Sequence, residues 1–98
     1  MPSYRVILDV GALRPGAAPQ AVTDAASAAA AIWTTVEAVQ VGLVRGVAQL
    51  TVRFTSVNPE EAAAIAADVV SAASDLAAVP HWRLAERQQT RWPVIAAG

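Results

Sequence analysis

Between residues 4 and 10, Tyr4, Val6, Leu8 and Val10 fall on one side of the chain and Arg5, Ile7 and Asp9 on the other. A period of two predicts a strand with one buried face. The next nine residues, GALRPGAAP, hold two glycines and two prolines and predict a loop. Pro19 suits the first turn of a helix, where its missing N–H costs nothing. From there Val22, Ala26, Ala29, Trp33 and Val36 recur at helical spacing. A helix over residues 19–35 is expected, with Trp33 on its core face.

Residues 37–44 alternate again, with Val39, Val41 and Leu43 expected inward. Arg45-Gly46 is a short turn into residues 48–57, where Leu50, Val52 and Phe54 face one way and Thr51, Arg53 and Thr55 the other. Two alternating runs joined at a glycine predict a hairpin. Asn58-Pro59-Glu60-Glu61 then has the chemistry of a helix start. Asn58 can cap, Pro59 takes the first helical position, and both glutamates oppose the positive end of the helix dipole. Ile65, Val69, Ala72, Leu76 and Val79 form the apolar stripe of this second helix, and Pro80 stops it.

The stretch HWRLAERQQTRW follows. Its leucine, alanine, glutamate and arginine favour a helix, but helical spacing leaves Trp82 and Leu84 on a ragged apolar face. As a strand it turns Trp82 and Leu84 inward and Arg83, Ala85 and Arg87 outward. The strand is the better fit. The resulting order, βαββαβ, resembles the ferredoxin-like sandwich in topology over about residues 4–87. That resemblance implies an α+β fold, a four-stranded antiparallel sheet with two helices on one face. Residues 88–98 are left as a tail on a single domain. The expected core is Val6, Leu8, Val10, Val22, Trp33, Val41, Leu50, Val52, Phe54, Ile65, Val69, Leu76, Trp82 and Leu84.

Composition narrows what this domain can do. Alanine occupies 24 of 98 positions, so the few large side chains must be placed economically. Without cysteine there is no disulfide framework, thiolate metal site or cysteine nucleophile. The net charge of −1 argues against a nucleic-acid-coating surface. All seven basic residues are arginine. The first residues, MPSYRVILDV, lack the features of a signal peptide, and Asp24 and Asp68 interrupt the alanine-rich segments. A cytoplasmic protein is expected, with no membrane span.

No motif converges on catalysis. GALRPG lacks the lysine and hydroxyl of a phosphate loop, although Arg14 beside a helix start could hold an anion. Glu60 and Glu61 diverge on a helix, and one histidine without cysteine makes no metal cluster. Neither cofactor nor metal is expected. An enzyme would have to be a small dimeric α+β barrel using His81 or Asp9 as acid–base.

The arginines form a clearer pattern. Arg5, Arg53, Arg83 and Arg87 are expected together on the open face of the sheet, with Ile7, Ala38, Val44 and Ala85 among them and Asp9 and Glu86 diluting the charge. Such a face could bind phosphate or carboxylate through Arg5, Arg53, Arg83 and Arg14. It lacks the aromatics that stack bases, because Tyr4 and Phe54 read as inward. Mixed arginine and apolar character also suits a protein interface. Trp92 and Val94, in the tail segment WPVI, either fold over the sheet's edge or pack on another chain. The leading expectation is a non-enzymatic, self-associating module with Arg5, Ile7, Arg53, Arg83, Arg87, Trp92 and Val94 in the contact.

Overall fold

The computed structural model describes residues 1–98 as an antiparallel sheet with two helices packed on one side. The elements are β1 (Ser3–Val10), α1 (Pro19–Ala31), β2 (Val36–Val44), β3 (Val47–Thr55), α2 (Pro59–Ser74), β4 (His81–Glu86) and β5 (Val94–Ala97). The sheet has five strands in the order β2-β3-β1-β4-β5, not the four expected. The fifth comes from the presumed tail. No helix is long and apolar enough to cross a membrane.

The period of two in β1 is realised along its length. Tyr4, Val6 and Leu8 are fully buried toward the helices, and the residues between them are half-buried. Opposite them on β3 stand Phe54, Val52 and Leu50, and on β4 Leu84 faces Val6. Tyr4 and Phe54 lie side by side with ring centroids 6.0 Å apart. The helices meet this layer largely with alanine: Ala26, Ala30, Ala62, Ala66 and Ala73 are all fully buried.

The start of α2 follows the sequence closely. Glu61 N–H donates to Asn58 Oδ1 at 2.8 Å, and Pro59 occupies the first turn. Its end comes earlier than Pro80. Past Ser74 the chain leaves the helix to pair with the loop after β1: Gly11 N–H donates to Ala78 O, Ala78 N–H to Ala12 O, and Arg14 N–H to Leu76 O. These bonds satisfy backbone groups that another helical turn would otherwise have used.

Two expected core residues are in water. Trp33 is 62% exposed, because α1 ends at Ala31 and the helical period no longer applies two residues later. Val41 is 64% exposed for a different reason. It points to the helix side, opposite Leu50, but no helix covers it. At about 1.5 Å per residue the 13 residues of α1 span about 20 Å, whereas the nine residues of β2 span about 30 Å. The hairpin end of β2 therefore overhangs, and Leu43 is 77% exposed with it. Val10, Leu76 and Trp82 are half-buried and pack against the core from its margin.

Glu86 also departs from expectation. It pairs with Tyr4 and so lies on the helix side, where Oε2 accepts from the Tyr4 hydroxyl at 3.0 Å. Burial, that hydrogen bond and the charges of Glu86 and Glu60 push the Tyr4 phenol from 10.0 up to about 12.

Three outcomes follow for stability. Phe54→Ala should cost about 3–5 kcal/mol in urea denaturation, a large share of what a small domain has. Trp33→Ala, expected from sequence to be equally damaging, should cost less than about 1 kcal/mol at its exposed site. Tyr4 makes stability depend on alkaline pH. Its folded-state value is raised, so the folded chain holds the phenolic proton more tightly than the unfolded chain does. The contribution is complete below pH 10 and is lost as pH rises toward about 12. Tyr4→Phe should flatten the decline in stability across that window while costing about 1 kcal/mol at neutral pH.

Candidate functional site

The open face of the sheet is built from the outward positions of β3, β1 and β4. Arg53, Arg5 and Ala85 are directly opposite one another across the three strands, and Thr51, Ile7 and Arg83 form the next row. Gln49, Asp9 and His81 form the third, with Gln49 Nε2 donating to Asp9 Oδ1 at 3.0 Å. His81 is exposed at the strand's start.

Arg5 opposite Arg53 sets two like charges at neighbouring positions, which is unfavourable alone. Two devices relieve it. The first is Glu37. The pairing of β2 with β3 shifts between Val36 and Ala38, leaving Glu37 as the extra residue of a bulge. Strict alternation would turn Glu37 inward; the bulge turns it to Arg53. Arg53 Nε is buried and 3.3 Å from Glu37 Oε1, near enough for an ion pair but off the line a hydrogen bond needs. The same oxygen accepts from Ser3 Oγ at 2.8 Å.

The second device is Trp92. β4 continues into a tight turn in which Gln88 and Arg91 exchange backbone hydrogen bonds of 2.9 Å, with Gln89 at a φ of 59°. Arg87 Nε–H donates to Gln89 O at 3.0 Å and steadies the turn. The chain then runs back along β4, and Glu86 N–H donates to Pro93 O. This register sets Trp92 opposite Arg87 on the open face. Its indole lies over the guanidinium of Arg5 at 3.9 Å and near that of Arg53 at 5.2 Å. A ring face draws both cations without adding a charge.

The structure thus brings Arg5, Arg53 and Trp92 together and stands Ile7 and Arg83 beside them. Val94 pairs with Ala85 at the rim and is exposed, while Ala85 is buried. Arg87 belongs to the turn rather than to the arginine cluster. Arg14 is elsewhere. Its Nε and Nη2 donate to Ser74 O at 3.3 and 3.2 Å, so it serves the carboxyl end of α2 instead of waiting at a helix start. The segment WPVI folds on its own domain: Trp92 covers the sheet face and Val94–Ala97 lengthens the sheet.

The sequence reading missed a second surface. On the helix side, beneath the overhang of β2, Val10, Leu13, Val22, Val41, Ala48 and Leu50 line an open groove of about 210 Å³. Neither His81 nor Asp9 reaches it. Val44 and Val47, on the opposite face of the same hairpin, are also exposed. The signal available in sequence was length: a strand this long cannot be covered by so short a helix. Comparison with family models, curated proteins and solved structures finds no match.

Trp92→Ala should leave two adjacent cations uncovered and lower stability by about 1–2 kcal/mol. Amide exchange should quicken first in β5 and at Trp82, whose N–H donates to Gly98 O. Trp92→Phe, which keeps a ring face, should recover most of the protection.

Proposed function

We propose that this chain is an assembly module of the cytoplasm, acting by protein–protein contact and associating with itself as a homodimer or small homo-oligomer. The observation that carries this reading is the uncovered apolar character of the overhang of β2. Val41 and Leu43 are exposed there on the helix side, with Leu13 across the groove, and Val44 and Val47 are exposed on the opposite face of the same hairpin. Single exposed apolar side chains are ordinary, but a cluster of them on a free sheet edge is characteristic of a docking surface.

The open sheet face contributes less in this reading than the arginine pattern suggested. Arg5 and Arg53 are occupied by Trp92, so only Ile7, Arg83 and the rim at Val94 are available to a partner. The fold itself is read as a ferredoxin-like sandwich, supported by the order β2-β3-β1-β4 within the sheet, with β5 as an addition at the far edge. Folds of this shape carry many functions, so the reading rests on the surface rather than on the architecture.

Sedimentation velocity or light scattering at micromolar concentration tests it directly. A species of twice the chain's mass, dissociating on dilution, is the expected result. A monomer at every concentration would refute self-association.

A further inference from the structure

The free edge of β2 carries a more specific inference, which rests on the self-association proposed above. The two edges of the sheet differ in how they meet solvent. β5 is four residues long, follows Pro93, and is interrupted at Ile95, where its pairing with β4 shifts. A short, bulged, proline-led strand discourages further pairing. β2 runs for nine residues and is bulged only at its start. Residues 38–44, AVQVGLV, contain no charge and no proline. That edge has few of the features that keep strands apart.

We propose that two copies of the chain join β2 to β2, antiparallel, about a two-fold axis through Val41. The turn at its end decides which backbone groups are available. Arg45 and Gly46 have φ of 53° and 79°, as a two-residue hairpin requires, and Val44 pairs with Val47 across it. The residues that close such a turn bond to each other, and bonded and unbonded positions alternate from there. Val44, Gly42 and Gln40 therefore bond to β3, while Val39, Val41 and Leu43 present their N–H and C=O groups to the free edge.

With the axis at Val41, each of these three finds a partner. Val41 meets Val41 of the partner subunit, and Leu43 meets Val39 of the partner subunit. Moving the axis to Gln40 would set Leu43 against the bulge at Glu37. Moving it to Gly42 would set Val39 against the turn at Arg45. Only the register through Val41 pairs the whole outward set.

Side chains agree with the backbone. Val39, Val41 and Leu43 all point to the helix side, so the register places apolar residues opposite one another, where Val41 and Leu43 are now 64% and 77% exposed. Charge agrees as well. The uncharged stretch meets itself without repulsion, and at each end Glu37 comes to Arg45 of the partner subunit. Ser3 and Arg53 both address Glu37 Oε1, which leaves Oε2 for that contact. A two-fold interface makes each contact twice.

The test uses the full chain and two substitutions at Val41. Val41→Lys places a charge on the axis opposite its own copy, at a position exposed enough that folding, followed by circular dichroism, should be unchanged. The parent should sediment as a dimer and Val41→Lys as a monomer at the same concentration. Val41→Cys introduces the only thiol. Opposed bonded residues have Cα atoms about 5.5 Å apart, within disulfide range, so mild oxidation should link the two copies. Ile32→Cys, exposed at the end of α1, should not link. A Val41→Lys protein that remains as dimeric as the parent would overturn the edge pairing and leave self-association standing. A parent that is monomeric throughout would overturn both.

Discussion

Every element of this domain depends on how a chain rich in alanine fills its interior. The helices bring small side chains to the sheet, and the bulk comes from the strands: Tyr4, Leu8, Leu50, Phe54 and Leu84 are the largest fully buried residues. Alanine faces let both helices approach the sheet closely, which is the condition for those five to be enclosed from above. The central strands β1 and β3 must therefore alternate without error, because a slip of one residue would present arginine to the helices. Tyr4 shows how closely this is tuned. Its ring belongs to the core, while its hydroxyl reaches Glu86 at the margin, so one residue supplies volume and satisfies its own polar atom.

The opposite face of the same strands has a different problem. Alternation that buries Tyr4, Val6, Phe54 and Val52 sets Arg5 against Arg53 on the other side. The chain answers with elements from both edges of the sheet. Glu37 arrives from β2 through a bulge, and Trp92 arrives over β4 through a tight turn. The two cations then have an anion beside them and a ring above them. What seemed in one dimension to be a cationic binding face is, in three, mostly an internal contact. Ion pairing at such half-exposed positions contributes little by itself, so the indole's coverage of both guanidinium groups is the larger part of the arrangement.

The edges follow from the same economy. One end of the sheet is closed by a short, interrupted strand, and the other projects beyond the helices with its apolar residues uncovered. A helix of 13 residues cannot shield a strand of nine, and nothing else in the chain is long enough to do so. A second copy would supply what a single copy lacks, both in backbone partners and in apolar contact.

The sequence by itself determined the order of the first six elements, the buried face of β1 and β3, and the capped start of α2. Each of these is written in local chemistry: a period of two, a turn with glycine, and an asparagine ahead of a proline. It also determined that the stretch from His81 is a strand, because only that period gathers Trp82 and Leu84 on one side. Tertiary structure alone decided the fates of Trp33, Val41, Glu37 and Trp92. Trp33 lost its place when the helix ended at Ala31, and Val41 was left uncovered by the relative lengths of α1 and β2. Glu37 was turned outward by an irregularity of pairing, and Trp92 was carried to Arg5 across most of the chain. Such outcomes depend on residues distant in sequence and on how far one element reaches along another, and no local period records either.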